Sequence, residues 1–224
     1  MPPPLRRDRA ALAARQAEAF NLGVFINRPF DTGYRPIRDA LIFAVLACHF
    51  RARCALGASN FGQPRVDKIV ALIRACRWGI HDLSQIQPNP TPHFNMPLEL
   101  GLFLGAHRFG GPKQRTKSSL VLVRDKAEFR QACSNVDGQD VVAHRGEPND
   151  AIVAVRDWLQ TETRDRAAPY ASGARIAERF AAFRMELPEI CAGFRVEPEA
   201  LTFSDTCDII SKWLIRDAAF SLAG

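Results

Sequence analysis

Residues 93–110, His-Phe-Asn-Met-Pro-Leu-Glu-Leu-Gly-Leu-Phe-Leu-Gly-Ala-His-Arg-Phe-Gly, are the stretch that decides the fold. The eleven residues after Asn95 are apolar or glycine with one exception, Glu99. A helix that is apolar on all sides is normally buried, and glutamate is rarely buried unless it is paired or used. Asn95 can cap such a helix and Pro97 suits its first turn, so we expect Glu99 in that turn, ionised by the helix dipole.

Short apolar runs alternate with segments of helical periodicity on both sides of this helix. Strands are predicted at 22–26, 53–56, 78–82, 119–123 and 140–144, and further helices at 37–47, 66–73, 128–134 and 150–161. Such alternation indicates a parallel sheet covered on both faces. We therefore expect an α/β domain over residues 21–163, with a flavodoxin-like, doubly wound sheet of about five mostly parallel strands. Ligands bind such sheets at the carboxyl ends of the strands, here loops 27–36, 57–65 and 82–95.

Two extensions flank the predicted sheet domain. Residues 1–20 begin with three prolines and continue as an Arg/Ala/Glu-rich segment, which predicts a disordered start and an exposed helix from Arg9 to Phe20. Residues 164–224 predict a C-terminal helical extension, with a polar linker at 164–173 and helices at 174–187 and 203–220. This extension is too small for much stability alone, so we expect it to dock on the sheet domain or on a second subunit.

Composition narrows the class of protein. Lysine and arginine number 30 against 24 acidic residues, a net charge of +6 that fits a nucleic-acid binder or a pocket for a phosphorylated small molecule. No basic cluster is interleaved with aromatic residues, so we do not expect nucleic-acid binding. No apolar run reaches the roughly 18 residues of a membrane helix, and the N-terminus lacks the apolar block of a signal peptide. These features predict a cytoplasmic protein that does not bind membranes.

Cysteine and histidine usage predicts no metal site. The six cysteines are scattered without a C-x-x-C pair, which is typical of reduced, mostly buried thiols. The five histidines lack the spacing of metal ligands, and no H-E-x-x-H motif occurs. We expect no resident cofactor.

Polar residues gather at the predicted strand ends, and three of these segments are familiar. They are Val-Phe-Ile-Asn-Arg-Pro-Phe at 24–30, Gly-Ile-His-Asp-Leu at 79–83 and Asn-Met-Pro-Leu-Glu-Leu-Gly-Leu-Phe-Leu-Gly-Ala at 95–106. Together they resemble the nucleoside 2-deoxyribosyltransferase-like group, which is related in fold to Toll/interleukin-receptor (TIR) domains with NAD-cleaving activity. The pattern Phe-Asn-Met-Pro-x-Glu-Leu-Gly also resembles a bacterial group of TIR-like proteins. The resemblance covers about residues 22–125.

The resemblance implies a chemistry and a set of site residues. Glu99 matches the catalytic carboxylate that attacks or stabilises the anomeric carbon when an N-ribosyl bond breaks, and Asp82 matches a carboxylate that contacts the substrate. An ionised carboxylate can stabilise or trap an oxocarbenium-like centre. Substrate-binding residues expected from the same segments and their neighbours are Asn27, Arg28, Phe30, Arg35 and Asn95. The substrate would be a nucleotide or nucleoside, with NAD as the leading candidate, and the protein would be a homo-oligomer.

Simpler interpretations stay open at each position. Glu99 can be a first-turn residue that satisfies the helix end, and Asp82 can cap the turn after its strand. Arg28, Arg35 and Arg38 could clamp a pyrophosphate, or pair with Asp31 and Asp39. Gly101 and Gly105 are expected to permit close packing against the sheet. The alternative function is a non-catalytic nucleotide sensor or TIR-like interaction module, in which the path to Glu99 would be filled by side chains.

Overall fold

The computed structural model describes residues 6–55, 64–84, 95–127, 141–163 and 169–223, with side chains from 11 to 218. The helices are α1 (Arg6–Leu22), α2 (Arg35–Ala47), α3 (Arg65–Ala75), α4 (Asn95–Phe109), α5 (Pro148–Glu162), α6 (Gly173–Phe194) and α7 (Phe203–Ala223). The strands are β1 (Gly23–Asn27), β2 (Arg51–Arg53), β3 (Trp78–Asp82), β4 (Ser118–Val123) and β5 (Val141–Ala143). Short 3-10 turns lie at Thr32–Tyr34, Gln114–Thr116 and Pro198–Ala200.

All five strands are parallel and follow the order β2-β1-β3-β4-β5. This order confirms the predicted flavodoxin-like, doubly wound sheet. The register pairs Asn27 with His81 and Asp82 with Leu122, so the carboxyl ends of the central strands lie side by side. Every residue of β1 and β3 is buried, because helices cover both faces of the sheet.

The two faces carry different helices. On one face α2 and α5 pack over Val24, Ile26 and Leu122. On the other, α3 and α4 close over Phe25, against which Phe103 packs. The two apolar layers hold the strands from both sides and fix the edge at which the polar residues emerge.

The C-terminal extension forms a further layer on α2 and α5. Phe43 of α2 lies 5.4 Å from the ring of Phe180, 5.7 Å from that of Phe183 and 5.8 Å from that of Trp213. The extension therefore docks on the sheet domain, the first of the two arrangements predicted. At the other end of the chain, α1 is an exposed helix that runs directly into β1 and is longer than predicted.

Two predicted elements have wrong boundaries. Strand β2 lies at Arg51–Arg53 and not at 53–56, because an edge strand with exposed arginines lacks the apolar run used to find it. Helix α6 does not stop at residue 187 but continues through Pro188 to Phe194, with the proline ring on the solvent side. The helix predicted at 128–134 lies outside the described residues.

Helix α4 is not buried on all sides, which corrects the expectation drawn from its composition. Met96, Glu99, Leu100 and Phe103 face inward, whereas Leu98 is 56% exposed. A Cβ atom placed on either Gly101 or Gly105 would meet no described residue within 4 Å, so these glycines do not serve close packing against the sheet. Among the described helices, α4 included, none is both long and apolar enough to cross a bilayer.

Candidate functional site

Asn27 joins the three elements that form the candidate site. Its side chain is 2% exposed at the end of β1. The Nδ2 amide donates to the main-chain oxygen of Met96 at 2.8 Å and contacts His81 Nδ1 at 3.1 Å. Strand β1, strand β3 and the first turns of α4 are thus held together by one amide. Its Oδ1 atom is buried without a hydrogen-bond partner among the described residues.

Glu99 lies in the second turn of α4, whereas the sequence predicted it in the first. It is the fifth residue of the helix and 3% exposed, so the helix end does not account for it. Its Oε1 atom is buried and has no partner in the described part of the chain. Burial raises the pKa of this carboxyl to about 7, and the nearby Arg65 opposes the rise. Near neutral pH such a carboxyl populates both its neutral and its ionised form.

His81 is a structural residue of this edge. Burial lowers its pKa to about 3, so the ring is neutral. Because Nδ1 accepts from the Asn27 amide, the ring hydrogen resides on Nε2. The ring makes an edge contact with Phe103 at 5.0 Å between centroids. A Cβ atom at Gly79 would come within 2.9 Å of both rings, which explains the glycine in the middle of β3.

Asp82 is fully buried and surrounded by donors from three parts of the chain. Its Oδ2 atom accepts the Tyr34 hydroxyl at 2.5 Å and lies 3.0 Å from Nε2 of His144. Its Oδ1 atom accepts the main-chain N–H of Ser84 at 2.9 Å and the Ser84 hydroxyl at 2.5 Å. These contacts occupy the carboxylate, so the predicted substrate contact is not open in this structure. The pKa of Tyr34 is raised well above 10, mainly by burial and further by the charge of Asp82 and the hydrogen bond to it.

The Ser84, His144 and Asp82 side chains do not form a nucleophilic triad. Nδ1 of His144 accepts the main-chain N–H of Gly146 at 3.0 Å, which leaves the hydrogen on Nε2. Both Ser84 Oγ, at 2.9 Å, and Asp82 contact that same nitrogen. A triad needs the serine and the aspartate on opposite nitrogens. The cluster therefore links β3 to β5 by hydrogen bonds and, through Tyr34, to the loop after β1.

Sequence reasoning missed Tyr34, Ser84 and His144 as members of this edge. The sequence signal available for two of them was their position: Ser84 comes two residues after the end of β3, and His144 is the first residue after β5. Nothing local in the sequence, however, indicates that Tyr34 reaches Asp82, 48 residues further along the chain.

The predicted arginines separate into two groups. Arg28 contacts the first loop itself: it is 6% exposed and its guanidinium lies over the ring of Phe30. Arg35 instead donates to the main-chain oxygens of Pro198, at 2.8 Å, and Glu199. Arg38 pairs with Asp39 at 2.7 Å and reaches the same extension. Arg35 and Arg38 are therefore occupied in holding the C-terminal extension.

The remaining predictions concern the rim of the site. Asn95 is exposed at the start of α4, and the residues that precede it, 85–94, lie outside the described residues, as do residues 57–63 of the second predicted loop. Two cavities, of about 200 and 640 Å³, are lined by described residues, and Glu99 lines neither. Four cysteines are buried and Cys207 is half-buried, while Cys133 is not described.

Comparison of the chain with protein-family models, with curated proteins and with solved structures gave no match in any of the three. The resemblance of the three segments to deoxyribosyltransferase-like and TIR-like proteins therefore stays a prediction. What the chain does has to follow from the chemistry of the site itself.

Proposed function

We propose that this protein cleaves or transfers the N-ribosyl bond of a nucleotide, with NAD as the leading substrate and Glu99 as the catalytic carboxylate. One observation carries the proposal. Glu99 is a buried carboxyl at the carboxyl ends of the central strands, and one of its oxygens has no partner among the described residues. A carboxyl kept for stability alone would be expected to have its partners within the fold.

The environment of Glu99 suits the development of positive charge at an anomeric carbon. Desolvation penalises the ionised carboxylate in the resting site, which is why its pKa is about 7. A cationic, oxocarbenium-like transition state beside it removes that penalty, so the interaction is stronger in the transition state than in the ground state. Nicotinamide leaves NAD as a neutral base and needs no proton, so one carboxylate suffices. The same carboxylate can trap the ribosyl group for transfer.

Asn27 and Asp82 take different parts in this proposal. Asn27 lies beside the helix that bears Glu99. Its Oδ1 atom, which has no partner among the described residues, can accept a hydrogen bond from a substrate hydroxyl. Asp82 acts as a positioning residue, since its contacts to Tyr34 and His144 hold the strand ends in register.

A second candidate is a non-catalytic nucleotide-binding or TIR-like interaction module. The observation that favours it is the 3% exposure of Glu99, together with its absence from the linings of both cavities. This alternative predicts that NAD or a nucleoside raises the melting temperature without any release of base.

Base release measured by chromatography separates the two functions. The full chain is incubated with NAD and, in parallel, with deoxynucleosides, at high protein concentration because a homo-oligomer is expected. Glu99→Gln is compared with Glu18→Gln, an exposed residue of α1. The enzyme hypothesis requires turnover that Glu99→Gln lowers by about a hundredfold or more while Glu18→Gln does not. No turnover, or equal turnover in both variants, would overturn it.

A further inference from the structure

Two arginine side chains approach the ring of Phe30, and one of them, Arg65, lies near Glu99. The guanidinium carbon of Arg65 lies 4.8 Å from the centroid of the Phe30 ring, and that of Arg28 lies 5.7 Å from it. Arg65 also acts electrostatically on the Glu99 carboxyl. The Phe30 ring therefore gathers two positive charges, and the charge of Arg65 acts on the proposed catalytic group.

Arg28 is the buried member of this pair. Its Nη1 atom donates to the main-chain oxygen of Pro29 at 2.7 Å, but its Nε atom is buried and unpartnered among the described residues. A charged donor that is buried without an acceptor is costly, and native structures rarely leave one. A ligand oxygen that accepts from Nε would remove this cost.

Arg65 is the exposed member. It is the first residue of α3, so its side chain can meet a ligand that arrives from solvent. Arg35 and Arg38, the other cations near the first loop, are occupied by the C-terminal extension. Arg28 and Arg65, which share the Phe30 ring, are therefore the described guanidinium groups near this loop that the extension does not occupy.

Positive charge near an oxocarbenium-like centre raises its energy unless an anion neutralises that charge. A free nucleoside brings no such anion, whereas phosphate oxygens match the planar donors of a guanidinium. We propose, resting on the function proposed above, that Arg28 and Arg65 bind a phosphate group of the substrate, so that the site takes nucleotides in preference to free nucleosides. Phe30 holds the two side chains in place for this contact.

Calorimetric binding to the full chain carrying Glu99→Gln tests the inference without turnover. The two ligands are NAD and nicotinamide riboside, which share the reacting ribosyl bond; the riboside lacks the phosphates and the adenosine, so the arginine variants isolate the contribution of the phosphates. Arg65→Gln is compared with Arg74→Gln, an exposed arginine at the other end of α3. Because a charge-assisted hydrogen bond is lost, we expect Arg65→Gln to weaken NAD binding about tenfold or more and to leave nicotinamide riboside unchanged. Arg74→Gln should change neither.

Arg28→Gln should show the same selective loss of NAD binding. If the Arg28→Gln protein does not fold, the variant of the exposed Arg65 still decides the test. Equal affinity for the two ligands, or equal effects of Arg65→Gln and Arg74→Gln, would overturn the inference. Arginine-dependent NAD binding without nicotinamide release from the wild-type chain would overturn the proposed catalysis alone. NAD turnover with unchanged affinity in Arg65→Gln and in any Arg28→Gln protein that folds would overturn the phosphate site alone.

Discussion

Asn27, the last residue of β1, donates its side-chain amide to the main-chain oxygen of Met96 at 2.8 Å, across 69 residues of sequence. Met96 lies three residues before Glu99 on the same helix, so this bond sets the height of the Glu99 carboxyl relative to the strand ends. The same amide contacts His81, which fixes the helix against β3 as well.

Loss of this amide should destabilise the fold. Asn27→Ala leaves the oxygen of Met96 and Nδ1 of His81 without their buried donor, which costs about 1–3 kcal/mol of unfolding free energy. Denaturant unfolding followed by circular dichroism measures the change. Asn21→Ala, at an exposed position of α1, is the control and should stay within about 0.5 kcal/mol of wild type. Equal stability of the two variants would mean that the amide does not fasten α4.

Activity should rise with pH through the pKa of Glu99. The reaction needs the ionised carboxylate, and the pKa of about 7 places the rise of kcat/KM near neutrality. Arg65 lowers the pKa of Glu99, so Arg65→Gln should move the inflection to higher pH, while Arg74→Gln should leave it in place. A profile that is flat or falls across neutral pH would assign the chemistry to another group.

Removal of the Glu99 charge should stabilise the protein at alkaline pH. The folded pKa is about 7 against an ordinary value of 4.5, so between these values the unfolded chain has released a proton that the folded chain keeps. Stability therefore falls as pH rises through this window, and above it the cost is at most on the order of 3 kcal/mol. Glu99→Gln should unfold at higher denaturant concentration than wild type at pH 8, and the difference should shrink towards pH 4.5. Equal destabilisation at both pH values would indicate a carboxyl held by structural hydrogen bonds.

How much the sequence predicts depends on the range of the interaction. Every residue of β1 and β3 is buried because helices cover both faces of the sheet, and the apolar run of β1 can be recognised in the local sequence. The edge strand β2 bears exposed arginines and gives no such signal. The acid at position 99 stands out by composition, but its place in the second turn depends on where α4 begins.

Long-range contacts explain the rest of what the sequence did not predict. Asp82 was found from its position at the end of β3, whereas its partners Tyr34 and His144 come from loops far away in the chain. The cationic loop residues looked equivalent in sequence, yet Arg35 contacts the extension and Arg28 lies over Phe30. Only the packing of the extension on α2 separates them.

Arg35 should matter for docking of the extension and not for substrate binding. Arg35→Ala removes the donors to the oxygens of Pro198 and Glu199, which should lower the unfolding free energy by about 1–2 kcal/mol. Limited proteolysis should show earlier cleavage near residues 198–201, while the affinity for NAD stays at its wild-type value. A large loss of affinity without added cleavage would return Arg35 to the substrate site.

Tyr34 should ionise only when the protein unfolds. Burial and the contact with Asp82 raise the pKa of its phenol well above 10, so the folded chain keeps a proton that the unfolded chain releases in strong alkali. Stability must then fall as pH rises above 10, because the unfolded state binds fewer protons. The chain has two tyrosines, Tyr34 and Tyr170, so the absorbance of tyrosinate reports on few groups. We expect a delayed titration step that coincides with unfolding and disappears in Tyr34→Phe. Persistence of that step in the variant would assign it to Tyr170 and would contradict a buried hydrogen bond from Tyr34 to Asp82.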